Sequence, residues 1–156
     1  MNLRRGARAD RLLVHYNGHG VPRPTEKGEI WTYGKNYSYY MPISVYDLRQ
    51  WLGEPSIFVL DCAGAGGLLP HFEEPMYPAY DDTHEGVGSC VVLAACRTDE
   101  SLPVSPDYPA DLFATCLTTP IPIAVRWFIL QNPYSMNGID PSSAENMPGR
   151  VSDRKT

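Results

Sequence analysis

Apolar positions gather into short runs separated by stretches rich in Gly and Pro. The run from Arg11 to Tyr16 ends at Asn17-Gly18 and predicts a buried strand entering a turn. Ser56–Leu60 is continuously apolar, which suits a central strand covered on both faces, and Cys90–Ala95 predicts a third buried strand. Aromatic and β-branched residues at Glu29–Tyr33 and Tyr37–Met41 flank Gly34-Lys35-Asn36 and predict a β-hairpin. Gly20–Pro24 cannot be regular structure, because its two prolines remove backbone donors and fix φ.

Helical spacing appears between these runs. Pro42-Ile43-Ser44 opens a helix in which Ser44 and Asp47 stand in a capping arrangement and Val45, Leu48 and Leu52 share a face. Gly53 and Pro55 end it. Asp111–Leu117 and Pro120–Gln131 predict two more helices, the second stopped by Asn132-Pro133. Residues 70–88 have no periodicity and read as a long surface loop, as do residues 102–109. Residues 132–156 turn to Ser, Asn, Gly, Pro and charge, and predict a disordered tail. Strands alternating with helices define an α/β fold with a mostly parallel sheet flanked by helices. Three strands are few for a doubly covered sheet, so the expectation is that the chain begins inside a domain whose first strands are missing.

Composition narrows the classes. With 156 residues and 43% hydrophobic content, the chain can bury one core and is not wholly disordered. Thirteen Lys and Arg against eighteen Asp and Glu give a net charge of −5 with no basic run, which argues against nucleic acid as a partner. No apolar run approaches the roughly 18 residues of a transmembrane segment. Met1–Arg11 is basic but has no apolar segment behind it, so it is not a secretory signal. Cys62, Cys90, Cys96 and Cys116 are therefore expected to be free, and the last three read as buried small hydrophobes. The sequon Asn36-Tyr37-Ser38 is a chance match in this context.

No cofactor or metal is expected. Gly64-Ala65-Gly66-Gly67 lacks the Lys-Ser/Thr of a phosphate loop, and Leu68-Leu69-Pro70 is a poor helix start. Gly18-His19-Gly20 is no dinucleotide fingerprint, because Arg23 stands where Gly is needed. The four histidines show no metal-ligand spacing, and His15, inside a strand, reads as a hydrogen-bonded core residue.

Catalytic groups of parallel α/β sheets gather on the loops after the strands. Two such loops stand out: Asn17-Gly18-His19-Gly20 and Asp61-Cys62-Ala63-Gly64. The glycines present the His19 ring at a turn, and a strand-end cysteine beside it suggests a thiol–imidazole dyad.

The strings His15–Thr25, Gly28–Trp31, Pro55–Cys62, Leu93–Cys96 and Pro109–Ile123 resemble the N-terminal conserved domain of the Raptor family. The resemblance covers residues 11–131. It does not extend to Met1–Asp10, the 70–88 loop or the tail from Asn132. It implies a caspase-like α/β fold lacking its first strands. It also implies a cytoplasmic scaffold of TOR complex 1, one that binds the TOR kinase and recruits its protein substrates in response to nutrients, with recruitment to a lysosomal or vacuolar surface. In whole members a helical-repeat region and a WD-repeat propeller follow this domain.

Caspase-like peptidases place their histidine in a His-Gly turn, matched by His19-Gly20, and their nucleophile two residues after a polar residue at the strand end. Aligning Asp61 with that polar residue puts Ala63 at the nucleophile position and turns Cys62 to the opposite side. The resemblance thus implies a pseudoenzyme whose vestigial dyad is His19 and Cys62; the alternative is a cysteine peptidase using both, with a bulge returning Cys62 to the cleft. The stiff loop Pro22-Arg23-Pro24 and the hairpin tyrosines Tyr37 and Tyr39 are candidate partner surface.

Overall fold

The computed structural model describes residues 2–7, 10–74, 90–106, 108, 110–118 and 120–146. The chain divides into two compact units, residues 1–102 and 103–156.

In the first unit, β1 (Leu12–Asn17), β4 (Ser56–Asp61) and β5 (Cys90–Ala94) form a parallel sheet in the order β1-β4-β5. The register aligns Leu12 with Ser56, Asn17 with Asp61 and Leu60 with Ala94. Side chains alternate across the strands, and the two faces differ. Phe58 and Leu60 of β4 are fully buried, with Val14, Tyr16, Val92 and Ala94 packed on the same cluster. That cluster continues into Ile30, Val45, Cys62, Ala65 and Leu68, and the Phe58 and Phe72 rings stand 4.9 Å apart.

The other face is open. Leu13 is 67% exposed, and Val91 and Leu93 are exposed beside it. Ile57 and Val59 lie between them in register and are half-buried. Among the described residues the expectations that Ser56–Leu60 is covered on both faces, and that the Arg11–Tyr16 and Cys90–Ala95 runs are buried, are therefore corrected: an apolar run records that neighbours are needed, not which layer supplies them. His15 shares this open face and is exposed, so it is not a core residue. Cys90, Cys96 and Cys116 are half-buried rather than buried, and all four cysteines are free.

The antiparallel hairpin pairs β2 (Glu29–Tyr33) with β3 (Tyr40–Ser44). Its second strand starts three residues later than expected, at Tyr40 rather than Tyr37. The reason lies in the turn: the Gly34 N–H donates to Tyr39 O at 3.0 Å and the Tyr37 N–H to Gly34 O at 2.8 Å. This places Tyr37 in the left-handed region at φ 54°. Pro42 sits within β3 opposite Trp31, a position tolerated in a two-stranded ribbon. α2 runs Val45–Leu52, with Ser44 as its cap as the spacing to Asp47 predicts, while Pro42 and Ile43 belong to β3. The Asp47 N–H donates to Ser44 Oγ at 3.0 Å, and the Ser44 hydroxyl returns a bond to Asp47 Oδ2 at 2.7 Å.

After β4 the chain makes a 3-10 turn (Ala65–Leu68) and then α3 (Leu69–Glu73). This overturns the reading of Leu68-Leu69-Pro70 as a poor helix start and of residues 70–74 as loop. Pro70 falls in the first helical turn, where its missing N–H has no intrahelical acceptor to lose. Residues 75–88 of that expected loop lie outside the described residues. At the N-terminus, α1 (Asn2–Ala7) is fastened by Arg4, whose guanidinium donates to the carbonyls of Leu52, Gly53 (3.2 Å) and Pro55 (2.7 Å). A cation on the last carbonyls of α2 satisfies groups that the helix leaves without partners.

The second unit holds α4 (Leu112–Thr118) and α5 (Pro120–Gln131). Asp111 caps α4, its Oδ1 accepting the N–H groups of Phe113 (2.8 Å) and Ala114 (3.0 Å). Residues 132–146, expected to be disordered, instead carry turns and a 3-10 helix (Pro141–Asn146). Asp140 Oδ1 accepts from the Ser142 N–H at 2.9 Å to start it, and Ala144 is buried. Backbone bonds from the Met136 N–H to Asn132 O (3.0 Å) and from the Ile139 N–H to Met136 O (3.0 Å) build the turns between, and the 3-10 helix packs against α5. The remaining tail residues, 147–156, lie outside the described residues. Among the described residues no helix is long and apolar enough to cross a membrane.

Candidate functional site

The carboxyl ends of β1 and β4 meet, because the strands are parallel neighbours in register. The Gly18 N–H donates to Asp61 O at 2.8 Å, which carries the ladder one residue beyond β1. Asn17 Oδ1 then accepts the His19 N–H at 3.2 Å, a local turn that lifts the imidazole off the sheet.

His19 is directed to Asp61. Its Nε2 lies 3.6 Å from Asp61 Oδ1, and His15 Nε2 lies 3.6 Å from Asp61 Oδ2. A carboxylate with no exposed surface thus stands between two partly exposed imidazoles. Both distances exceed a hydrogen bond and fit ion pairing once an imidazole is protonated. This trio was not found from sequence, although a signal existed: Leu13, His15 and Asn17 share one parity, and Ile57, Val59 and Asp61 share the parity that meets it across the ladder.

Cys62 takes the opposite parity and belongs with Phe58 and Leu60 in the core, where it is 2% exposed. Gly18 lies directly against it: a Cβ on Gly18 would come 2.6 Å from Cys62 Cβ and 2.7 Å from the Tyr16 ring. Burial pushes the thiol up to about 12, and the charges of Cys96 and Asp61 push the same way. About one thiol in 10^5 is then ionised at pH 7, and the thiolate is the nucleophilic form. Tyr16 is also raised to about 12, chiefly by burial, while donating to Trp31 O at 2.8 Å. Ala63 is half-buried, and Gly64 follows at φ 70°, its N–H donating to Glu100 O at 2.9 Å.

Of the candidate partner residues, Arg23 lies beside the loop after β4, its side chain 3.8 Å from where a Cβ on Gly64 would stand. Pro22 and Arg23 are exposed and Pro24 is half-buried. Arg23 is held by a bond from Nη2 to Ser101 Oγ at 2.6 Å, and its carbonyl accepts the Trp31 indole N–H at 3.0 Å. Tyr37 is 79% exposed, and its ring stands 5.8 Å from that of Tyr33. Tyr39 is exposed too, with its ring laid over Gly34.

The parallel sheet and its connecting helices define an α/β class, and comparison with known proteins makes it caspase-like. Residues 1–72 match the family described as the Raptor N-terminal CASPase like domain. The chain is 47% identical to the Target of rapamycin complex 1 subunit mip1 of Schizosaccharomyces pombe, over 98% of this chain and 12% of that protein. It is 44% identical to the Regulatory-associated protein of TOR 2 of Oryza sativa, over 98% of this chain and 11% of that one. The crystal structure of Chaetomium thermophilum Raptor superposes with a TM-score of 0.73 at 47% identity, over 98% of this chain and 14% of that one.

Over nearly its whole length the chain is similar to Raptor-family proteins, and its residues 1–72 match the model of their N-terminal caspase-like domain. It spans about one eighth of the length of these curated relatives. The similarity also extends beyond residues 11–131, which corrects the expectation that Met1–Asp10 and the tail fall outside it.

Two outcomes follow from this packing. Gly18→Ala forces a methyl into Cys62 and Tyr16, and is expected to cost about 1–3 kcal/mol, read as a lowered urea midpoint at unchanged slope; an unchanged midpoint would refute the close approach. Cys62 and Tyr16 stay neutral in the folded chain where the unfolded chain ionises, from pH 9 and 10 respectively. Stability is therefore indifferent to these groups below pH 9 and falls as pH rises toward 12, with a shallower fall in Cys62→Ala. Alkaline unfolding curves that superpose for the two proteins would contradict this.

Proposed function

We propose that this chain is the caspase-like part of a TOR complex 1 subunit and acts as a non-catalytic scaffold, presenting protein substrates to the TOR kinase in nutrient-responsive growth signalling. The observation that carries the absence of catalysis is the division of the vestigial dyad: Cys62 is in the core with its thiol raised to about 12, while His19 is turned to Asp61. A peptidase would need a thiol ionised near neutral pH and a base within hydrogen-bond reach of it. Aligning Asp61 with the polar residue that precedes the nucleophile of caspase-like peptidases puts Ala63 at the nucleophile position, and its methyl group cannot attack a carbonyl.

The similarity to TOR complex 1 subunits supports the scaffold role, as do the Pro22-Arg23-Pro24 loop, exposed at Pro22 and Arg23, and the exposed tyrosines Tyr37 and Tyr39. A stiff loop and two-torsion aromatic side chains lose little freedom on binding, which suits a protein partner. The site of action we assign is the cytoplasm, with recruitment to a lysosomal or vacuolar surface as part of the complex.

In a full-length protein carrying this sequence, Tyr37→Ala with Tyr39→Ala is expected to lower co-purification of the TOR kinase or phosphorylation of its substrates by about tenfold, with the circular dichroism spectrum retained. Wild-type capture and phosphorylation in the double variant would remove this surface from the proposal. Failure of the full-length protein to co-purify with the kinase would sink the scaffold reading itself.

A further inference from the structure

Among the described residues, Arg49 is a buried cation without an anion. It sits in α2 at 7% exposure, and its Nη1 donates to two carbonyls, His71 O at 3.1 Å and Glu74 O at 2.7 Å. No described carboxylate lies within ion-pair distance of it, and its buried Nε has no hydrogen-bond partner. Nη2 likewise makes no hydrogen bond to the described residues. The free Nε–Nη2 edge is the fork that matches two oxygens of an oxyanion. Burying a guanidinium is costly unless a counter-charge completes it.

Arg49 lines a cavity of about 190 Å³ whose wall also holds Lys27, Ser44, Tyr46, His71 and Glu74. The first turn of α2 forms part of that wall, so its N-terminal partial positive charge adds to Lys27 and Arg49. Two carboxylates oppose this: Glu74 in the wall, and Asp47, which accepts from Ser44 at the cap. Lys27 and Glu74 are exposed and screened by solvent, whereas Arg49 is not, so the buried charge is positive. The His71 ring lies over Gly28, whose φ of 72° brings the backbone close beneath it and presents the imidazole at the rim. At about 30 Å³ per water the cavity holds about six waters, enough for one tetrahedral oxyanion and its hydration.

We propose that this cavity binds a single phosphate-class oxyanion, held by the Nε–Nη2 edge of Arg49 and the ammonium of Lys27. The oxyanion is either free phosphate or the phosphoryl group of a peptide side chain. The site is separate from the His19–Asp61–Cys62 crevice and does not depend on the scaffold reading.

The test is an amide and arginine-Nε correlation spectrum of the whole 156-residue chain, titrated with inorganic phosphate against chloride at matched ionic strength. A second arm uses a short phosphoserine peptide and its unphosphorylated counterpart. The expected result is a saturable shift of the Arg49 Nε–H and of the Gly28 and Tyr46 amides with phosphate and not with chloride. Lys27→Ala should weaken binding about tenfold, and Arg49→Lys should abolish it while spectral dispersion shows that the variant is folded. Tighter binding of the phosphopeptide than of inorganic phosphate assigns the peptide as source; equal or weaker binding assigns free phosphate. Shifts that match chloride, or a Lys27→Ala variant that binds phosphate as the wild type does, would overturn the proposal.

Discussion

The two-residue alternation of β4 is the constraint on which the rest of this structure depends. Ser56, Phe58 and Leu60 point to the covered face, and Ile57, Val59 and Asp61 to the open one. With the parallel register to β1, that alternation decides the chemistry at the strand ends. Asp61 faces the two imidazoles, and Cys62, one residue on, is carried into the core. A thiol and an imidazole that sit on neighbouring loops in the sequence are thereby given different partners. To exchange them, the strand would have to slip by one residue, which would turn Phe58 and Leu60 toward solvent.

Glycine completes the arrangement at two places. Gly18 lets the loop after β1 pass directly over Cys62, closing the core at a point where any side chain would hold it open. Gly64 continues the chain after Ala63 in a left-handed conformation, where an added Cβ would come 3.1 Å from the Thr98 carbonyl oxygen. The glycine-rich segment after β4 is therefore a packing device that brings two backbones together. Its likeness to a phosphate-cradling loop is one of composition.

Much of the fold was legible because its signals are local. The capping pair Ser44 and Asp47, the apolar run of β4 and the strand-end positions of His19 and Cys62 all follow from neighbours in sequence. The offset between Cys62 and Ala63 was legible too, since it needs only the strand period. What was hidden depends on distant partners. An apolar run cannot say how many layers cover it, so the open face of Leu13, Val91 and Leu93 was read as buried. Pro70 reads as a breaker until its place in a first helical turn is known. The pairing of His15 with Asp61 needs the register between strands more than forty residues apart, and the burial of Arg49 needs the position of α3.

The central claim is that Cys62 is a core thiol and not a nucleophile. The most direct measurement is alkylation of the folded chain with a small thiol reagent across the neutral pH range, with the modified cysteine located by mass spectrometry. The account predicts that Cys62 stays unlabelled until the chain is unfolded, while the half-buried Cys90, Cys96 and Cys116 react first. Rapid labelling of Cys62 near neutral pH, lost in His19→Ala, would contradict it by revealing a thiolate–imidazole pair.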